Sequence, residues 1–240
     1  MNLIIKNSSN PELKNFFDWL QTNTEKDEVS RWLRKKSIGE VWKKLIENTP
    51  AKKSLQNGLL QEQYYLCCYC CSPISNEIDK LVVQENFNTY PVSVEHYLEK
   101  ETNKDLVFWY DNLHISCKTN ASCNLKRNNA PLTHVNPQDT NFIKEIILKK
   151  TQKKGKDFIA LQTNNTSILQ EIEDVLGLNH DNLQKERGKV IEAIEKTAKE
   201  IDNDVDKKQK LIEQFCTPNQ QGKLYPFSFV AEWYINQNYL

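Results

Sequence analysis

The chain has 240 residues, room for one large domain or two small ones. Apolar residues make up 38% and the mean hydropathy is −0.69, so a core is possible, and no apolar run approaches the roughly 20 residues of a membrane span. Lysine plus arginine equals aspartate plus glutamate at 32 each, which excludes an overall basic field; contact with nucleic acid would have to come from local basic patches.

The first ten residues carry only the short apolar run Leu3-Ile4-Ile5 and no signal-peptide pattern, so the expected location is the cytoplasm. Residues 11–20 place Leu13, Phe16, Phe17 and Leu20 on one helical face. Residues 28–47 repeat the pattern with Trp32, Leu33, Ile38, Val41, Trp42 and Leu45, until Pro50 ends it. Leu55, Leu59 and Leu60 lead a third helix into Tyr64, Tyr65 and Leu66. This first quarter is partly basic (Arg31, Arg34, Lys35, Lys36, Lys43, Lys44), either a solvated helix face or a patch facing DNA or a partner. Turn-forming residues follow, and then Tyr90 to Val94 alternates like a short strand running into Glu95-His96. Leu113 to Ser116 suggests another strand after a turn at Asp111-Asn112, and residues 122–130 begin a short helix or turn that Pro131 closes.

Beyond Pro137, Phe142 to Leu148 and Phe158 to Leu161 flank a Lys/Gly tract at residues 149–156, which reads as a β-hairpin, although Phe142 to Leu148 alone also suits a helix. Ile168 to Leu176 reads as a helix with Gly177 as its C-cap. From Asp181 a long helix puts Leu183, Val190, Ile191, Ile194, Ala198 and Ile201 on one stripe. The tail is aromatic (Tyr225, Phe227, Phe229, Trp233, Tyr234, Tyr239) and either packs on the body or meets a partner.

Six of the seven cysteines fall between Cys67 and Cys123, with Cys216 apart. In a reducing compartment such clustering favours metal binding over disulfides. Cys67 and Cys70 form a Cys-x-x-Cys pair, and Cys68 with Cys71 offers a shifted one. Cys117 and Cys123 form the distal pair, separated by residues 118–122. Four thiolates from two loops would make a closed, structural Cys₄ zinc site, with Cys67, Cys70, Cys117 and Cys123 as the expected ligands.

Between the pairs lie Glu95 and His96. Adjacent strand residues face opposite sides, but at a strand's end both can reach one site. A carboxylate suits Mg²⁺ or Mn²⁺ through a hard oxygen, and a neutral imidazole suits general-base work near neutral pH. The amides of Asn112 and Asn124 can fix a catalytic ring or ligate a hard metal; equally, Asn112 can be a turn residue and Asn124 a helix N-cap. His114 reads as structural, and His134 and His180 have no motif around them.

Taken together, Cys67-Cys68-Tyr69-Cys70, Val94-Glu95-His96, Tyr110-Asp111-Asn112-Leu113 and Ser122-Cys123-Asn124-Leu125-Lys126-Arg127-Asn128 resemble an HNH endonuclease of the zinc-stapled ββα-metal type. More narrowly they resemble the HNH subfamily associated with retrons and with the nuclease subunit of the Septu anti-phage system. The resemblance implies that Glu95 is a catalytic-metal ligand and His96 the general base. It implies that Asn112 orients the His loop, that Asn124 completes the metal site, and that Lys126 or Arg127 touches phosphate. It further implies a Mg²⁺ (or Mn²⁺) cofactor beside structural Zn²⁺, a DNA substrate and a Septu-type ATPase partner. Two features depart from the family pattern: the wide Cys117–Cys123 spacing, and Asn124 where many HNH enzymes have His.

The expected fold class is α+β, a zinc-stapled ββα-metal module embedded between N- and C-terminal helical segments. Its expected divisions are residues 1–60 (helical), 61–137 (nuclease module with the Cys₄ site) and 138–240 (hairpin, helices and aromatic tail). The rival expectation is a non-catalytic zinc-binding adaptor whose Cys₄ site only presents a surface.

Overall fold

A computed structural model describes residues 4–24, 37, 40, 42, 50–84, 86–201 and 206–239. Of the helix expected over residues 28–47 only Ser37, Glu40 and Trp42 are described, and the basic side chains expected on it lie outside the described residues. The chain is mixed α+β, with several helices around small sheets.

Helix α1 (Pro11–Thr24) opens with Pro11 at its first position and Asn10 before it. The Asn10 carboxamide oxygen accepts from the Glu12 amide at 2.9 Å, which satisfies one of the unpaired donors of the first turn. Leu13 and Phe16 are fully buried, facing α2 (Pro50–Glu62), which buries Leu55, Leu59 and Leu60. The helices touch closely because Gly58 has no side chain: a Cβ there would come within 2.4 Å of Leu13 Cγ.

The central sheet is built on one long strand. β1 (Ile74–Ser75) runs parallel to β3 (Phe87–His96), β2 (Val82–Gln84) pairs antiparallel with its first half, and β4 (Leu113–Cys117) pairs antiparallel with its second half. The β3–β4 register sets Val92 opposite Cys117, Glu95 opposite His114 and His96 opposite Leu113. All five residues of β4 are buried, since the strand lies between β3 and α2. On its other edge the Gln63 side chain substitutes for a strand: its carboxamide accepts from Ile115 N at 2.8 Å and donates to Ile115 O at 2.8 Å. The short helix α3 (Cys123–Arg127) follows β4 and ends on Asn128 in the left-handed conformation (φ +46°).

The C-terminal half adds α4 (Thr140–Glu145) and a hairpin of β5 (Ile147–Lys153) and β6 (Lys156–Gln162). The Lys/Gly tract is thus not a connector: residues 149–153 belong to β5, and Lys154-Gly155 make the turn, both at positive φ. One face of the hairpin is wet and tolerates the lysines, with Lys153 over the half-buried Phe158 ring, while Ile159 and Leu161 of β6 are fully buried on the other face. Helix α5 (Thr166–Gln170), capped by the Asn165 side chain, continues into a wider π-type turn at Glu171–Val175, and Gly177 (φ +60°) turns the chain. Asn179 caps the β6 edge, with its carboxamide accepting from Leu161 N and donating to Leu161 O, each at 2.8 Å.

Helix α6 (Asp181–Glu200) then crosses β6 with Leu183, Val190, Ile191 and Ile194 buried, followed by α7 (Lys207–Cys216) and α8 (Ser228–Asn238). The aromatic tail packs on the body: Phe227 is buried near Phe87, and Tyr225 meets both Phe87 and Phe215 edge-on. No helix among the described residues is long and apolar enough to cross a membrane.

Helix α6 lies so close to β6 that Gly188 has no room for a side chain: a Cβ would stand 1.9 Å from the Asp157 carbonyl oxygen. Alanine at a helix interior normally gains about 1 kcal/mol over glycine. Here the collision is with backbone, which cannot swing away. Gly188→Ala is therefore expected to lower stability by about 1–3 kcal/mol. A urea-denaturation midpoint equal to or above wild type would contradict this packing.

Candidate metal centre and adjoining cavity

The four cysteines are delivered by three pieces of backbone. After α2, the chain turns through residues 67–72, where Cys71 N donates to Cys67 O at 3.0 Å and Cys67 N donates to Ser72 O at 2.9 Å. This tight turn puts the first and fourth residues of Cys67-Cys68-Tyr69-Cys70 on the same side, and it carries Cys71 into positive φ (+61°). Cys117 ends β4. Cys123 starts α3, also at positive φ (+58°), with its amide donating to Leu176 O at 2.8 Å.

The sulfurs of Cys67, Cys70, Cys117 and Cys123 all lie within 4.8 Å of one another, and all four residues are buried. Cys67 Sγ stands 3.7 Å from Cys123 Sγ, and Cys70 Sγ stands 3.8 Å from Cys117 Sγ. Thiolates about 2.3 Å from a tetrahedral zinc are separated by roughly 3.8 Å, so the cluster has the size and donor set to hold a metal such as zinc. Cys68 and Cys71 are not in the group; Cys68 N instead donates to Ile115 O at 3.0 Å.

Polar groups already surround the sulfurs. Cys117 N donates to Cys67 Sγ at 3.3 Å, while the Cys67 thiol donates to Ser116 Oγ at 3.7 Å and the Cys70 thiol to Ser72 Oγ at 3.2 Å. Burial opposes ionisation of Cys67, but the bonds from neighbouring thiols outweigh it and hold its pKa well below the usual thiol range. Cys123 moves the other way, raised first by burial and then by the same neighbours.

Beside this cluster, the end of β3 splits its two polar residues between opposite faces, as strand geometry requires. Glu95 points to α3. Its Oε1 forms an ion pair with Arg127 Nη1 and accepts from Tyr69 Oη at 3.1 Å. Burial raises the Glu95 pKa, and Arg127 counters it.

His96 points the other way, with Nε2 2.9 Å from Val107 O. A carbonyl can only accept, so Nε2 carries the hydrogen and Nδ1 is the basic nitrogen of the ring. The Trp42 ring meets the imidazole edge-on at 4.6 Å and stacks on Phe108. Burial drives the His96 pKa down to about 4, the Val107 bond opposing it, so the ring is neutral at physiological pH.

Asn112 closes the loop that carries Val107. Its Oδ1 accepts from Leu98 N at 2.6 Å, and its Nδ2 donates to Leu98 O at 3.1 Å and Leu106 O at 3.0 Å. The two ends of the loop are thereby stapled to the base of β4, and the carbonyl facing His96 is fixed.

A cavity of about 300 Å³ opens here, lined by Glu95, His96, Asn124, Arg127 and Trp42. Asn124 Nδ2 donates to Ser93 Oγ at 3.0 Å, which ties α3 to β3. Lys52, Lys100 and Lys118 come to the same cavity from α2, the loop after β3 and the end of β4. Among the described residues Glu95 and His96 have no third Cys, His, Asp or Glu within metal-sharing reach; the only such group is the four cysteines.

Two expectations need correction. Lys126 does not reach this cavity: one helical step from Arg127, it lies over Gly177 and lines a separate cavity with Asn179 and His180. Arg127 lines the cavity but is 3% exposed, and its guanidinium is committed to protein acceptors: Glu95, Tyr69 Oη, and the carbonyls of His96, Tyr97 and Ala130. Its role in this structure is to lock α3 to the end of β3.

His114 is fully buried with Nε2 3.2 Å from Gln138 Nε2, a structural position. Trp42, Val107, Tyr69 and the three lysines were not singled out as site residues by sequence reading. Only Tyr69, inside the Cys-x-x-Cys, had a local signal. The chain matches no protein-family model and no curated protein.

Purified protein is expected to carry one equivalent of zinc by elemental analysis, lost in Cys67→Ser and Cys123→Ser but kept in Cys68→Ser. Equal zinc loss in all three would reject the four-sulfur geometry.

The His96 environment sets a pH dependence. Above pH 6.5 both folded and unfolded rings are neutral and the full contribution is present. As pH falls from 6.5 to about 4, the unfolded chain takes up a proton that the folded ring refuses, and stability is lost. At pH 4.5 the loss from this ring should be about 2–3 kcal/mol. His96→Asn should show correspondingly less acid destabilisation relative to pH 7 in urea titrations; parallel pH profiles would show that His96 is not held neutral by the fold.

Proposed function

We propose that the chain is a metal-dependent HNH endonuclease whose ββα module is β3, β4 and α3, with the four cysteines as a structural zinc clamp. The observation that carries this reading is the tautomer of His96. A buried ring whose Nε2–H is tied to Val107 O keeps Nδ1 unprotonated at neutral pH, in a cavity to which three separate elements contribute lysines.

In the proposed reaction His96 Nδ1 takes a proton from water. The water oxygen bonds to phosphorus in line, the P–O bond to the 3′ oxygen breaks, and that oxygen is reprotonated from solvent. Asn112 keeps the Val107 carbonyl in place and so holds the ring in its basic tautomer. Lys52, Lys100 and Lys118 attract the phosphate backbone. Glu95 and Asn124 both line the cavity, and the Glu95 oxygen not paired with Arg127 and the Asn124 carboxamide oxygen are the hard donors that would hold Mg²⁺ or Mn²⁺. Such an ion would neutralise charge on the scissile phosphate and the leaving oxygen.

DNA is the proposed substrate. The balanced charge of the chain favours delivery by a partner, on this reading an ATPase of the Septu type, rather than tight binding by the nuclease alone.

The test is nicking of supercoiled plasmid with Mg²⁺ or Mn²⁺. His96→Ala is expected to lower the rate at least 100-fold, the usual contribution of a positioned base, while zinc content stays at the wild-type level. Wild-type activity in His96→Ala, or no cleavage by the wild-type protein alone or with its partner, would leave the zinc-binding adaptor as the better description.

A further inference from the structure

Arg187 is the largest fully buried side chain in the described structure, on the inner face of α6. Its Nη2 donates to Leu178 O at 2.8 Å and its Nη1 donates to Ile159 O at 3.3 Å, while Nε has no hydrogen-bond partner. A buried guanidinium with one idle donor and only neutral carbonyls for company is a costly arrangement unless a negative charge lies nearby.

The segment it grips shows where that charge would be. Leu178 is two residues beyond Leu176, whose carbonyl accepts the amide of Cys123. One short turn is therefore held on one side by Arg187 and on the other by a cysteine of the cluster. The acidic groups that act on Arg187 are the thiols of Cys70, Cys71 and Cys123; burial pulls its pKa down to about 10, and those thiols oppose the fall, so it stays charged at neutral pH.

We propose that Arg187 is the buried countercharge of the four-cysteine site, a positioning residue through which α6 and the β5–β6 hairpin stabilise the metal-loaded state. This rests on the reading of the cluster as a zinc site. A divalent metal on four thiolates leaves an excess of two negative charges in a dry interior. Arg187 offsets part of that charge and, through Leu178, fixes the turn that sets the position of Cys123. Groups beyond the direct ligands commonly change metal affinity 10- to 100-fold.

The test compares full-length wild type, Arg187→Met and Arg187→Lys, each loaded with zinc or Co²⁺. Arg187→Met is expected to lose zinc to a chromogenic chelator about 10-fold faster and to shift the thiolate-to-cobalt charge-transfer band. Arg187→Lys, which keeps the charge, is expected to stay close to wild type in both. If Arg187→Met does not fold, Arg187→Gln takes its place against Arg187→Lys. Zinc loss and cobalt spectra unchanged in the neutral variants, or equally disturbed in Arg187→Lys, would overturn the countercharge role while leaving the zinc site standing. A wild-type protein that binds neither metal would overturn both.

Discussion

The convergence of four sulfurs fixes more of this molecule than its small size suggests. The turn at residues 67–72, the end of β4 and the start of α3 are otherwise joined by loops that could settle in several ways. Bringing Cys67, Cys70, Cys117 and Cys123 within 4.8 Å of one another leaves little freedom. Cys117 fixes the position of β4, and through the β3–β4 ladder it sets where β3 ends. Cys123 fixes the first turn of α3, and four residues later Arg127 arrives at that same strand end. Both sides of the cavity are thus measured from one cluster, and the strained backbone at Cys71 and Cys123 is the local cost of that closure.

At the end of β3 two neighbouring residues serve different surroundings. Glu95 is drawn into a polar knot with Tyr69 and Arg127, which welds the Cys-x-x-Cys turn, the strand and α3 into a unit. His96 is left in an apolar setting, against Trp42 and near Phe108, with a single carbonyl to direct its hydrogen. Burial keeps the ring neutral, the state in which it can accept a proton. The staple formed by Asn112 belongs to the same logic, because an untethered loop would let Val107 drift and the tautomer with it.

The sequence already spoke clearly where chemistry imposes spacing. Two cysteines three apart, a distal pair and a Glu-His step between them were enough to locate the cluster and the cavity. The choice between Cys67/Cys70 and Cys68/Cys71 was open on spacing alone and is decided by the turn, since a Cys71 N to Cys67 O hydrogen bond turns the first and fourth side chains toward the same point. Reading failed where tertiary pairing overrides composition. Asn88 and Thr89 look like turn residues but are strand, because they pair with Val83 and Val82 of β2. The hairpin expected around the Lys/Gly tract is present, but its strands run further than the apolar residues suggest: Lys149 to Lys153 is strand, because only one face of that hairpin meets the core. Arg127 looked like a free cation because its acceptors are mostly backbone carbonyls, invisible in a sequence.

That last point bears on how a chain with no net charge can still present a basic cavity. The balance of 32 positive and 32 negative residues counts every charge alike, yet both arginines among the described residues are spent inside the protein. Arg127 answers Glu95, and Arg187 is walled in beneath α6. Around the cavity, Glu95 is neutralised by its ion pair, while Lys52, Lys100 and Lys118 face it with Glu99 as the other acidic residue on the wall. Among the described residues the cavity wall therefore carries more lysines than unpaired carboxylates, although the chain as a whole is balanced. Such a wall favours anions at short range without setting up a long-range field around the whole chain.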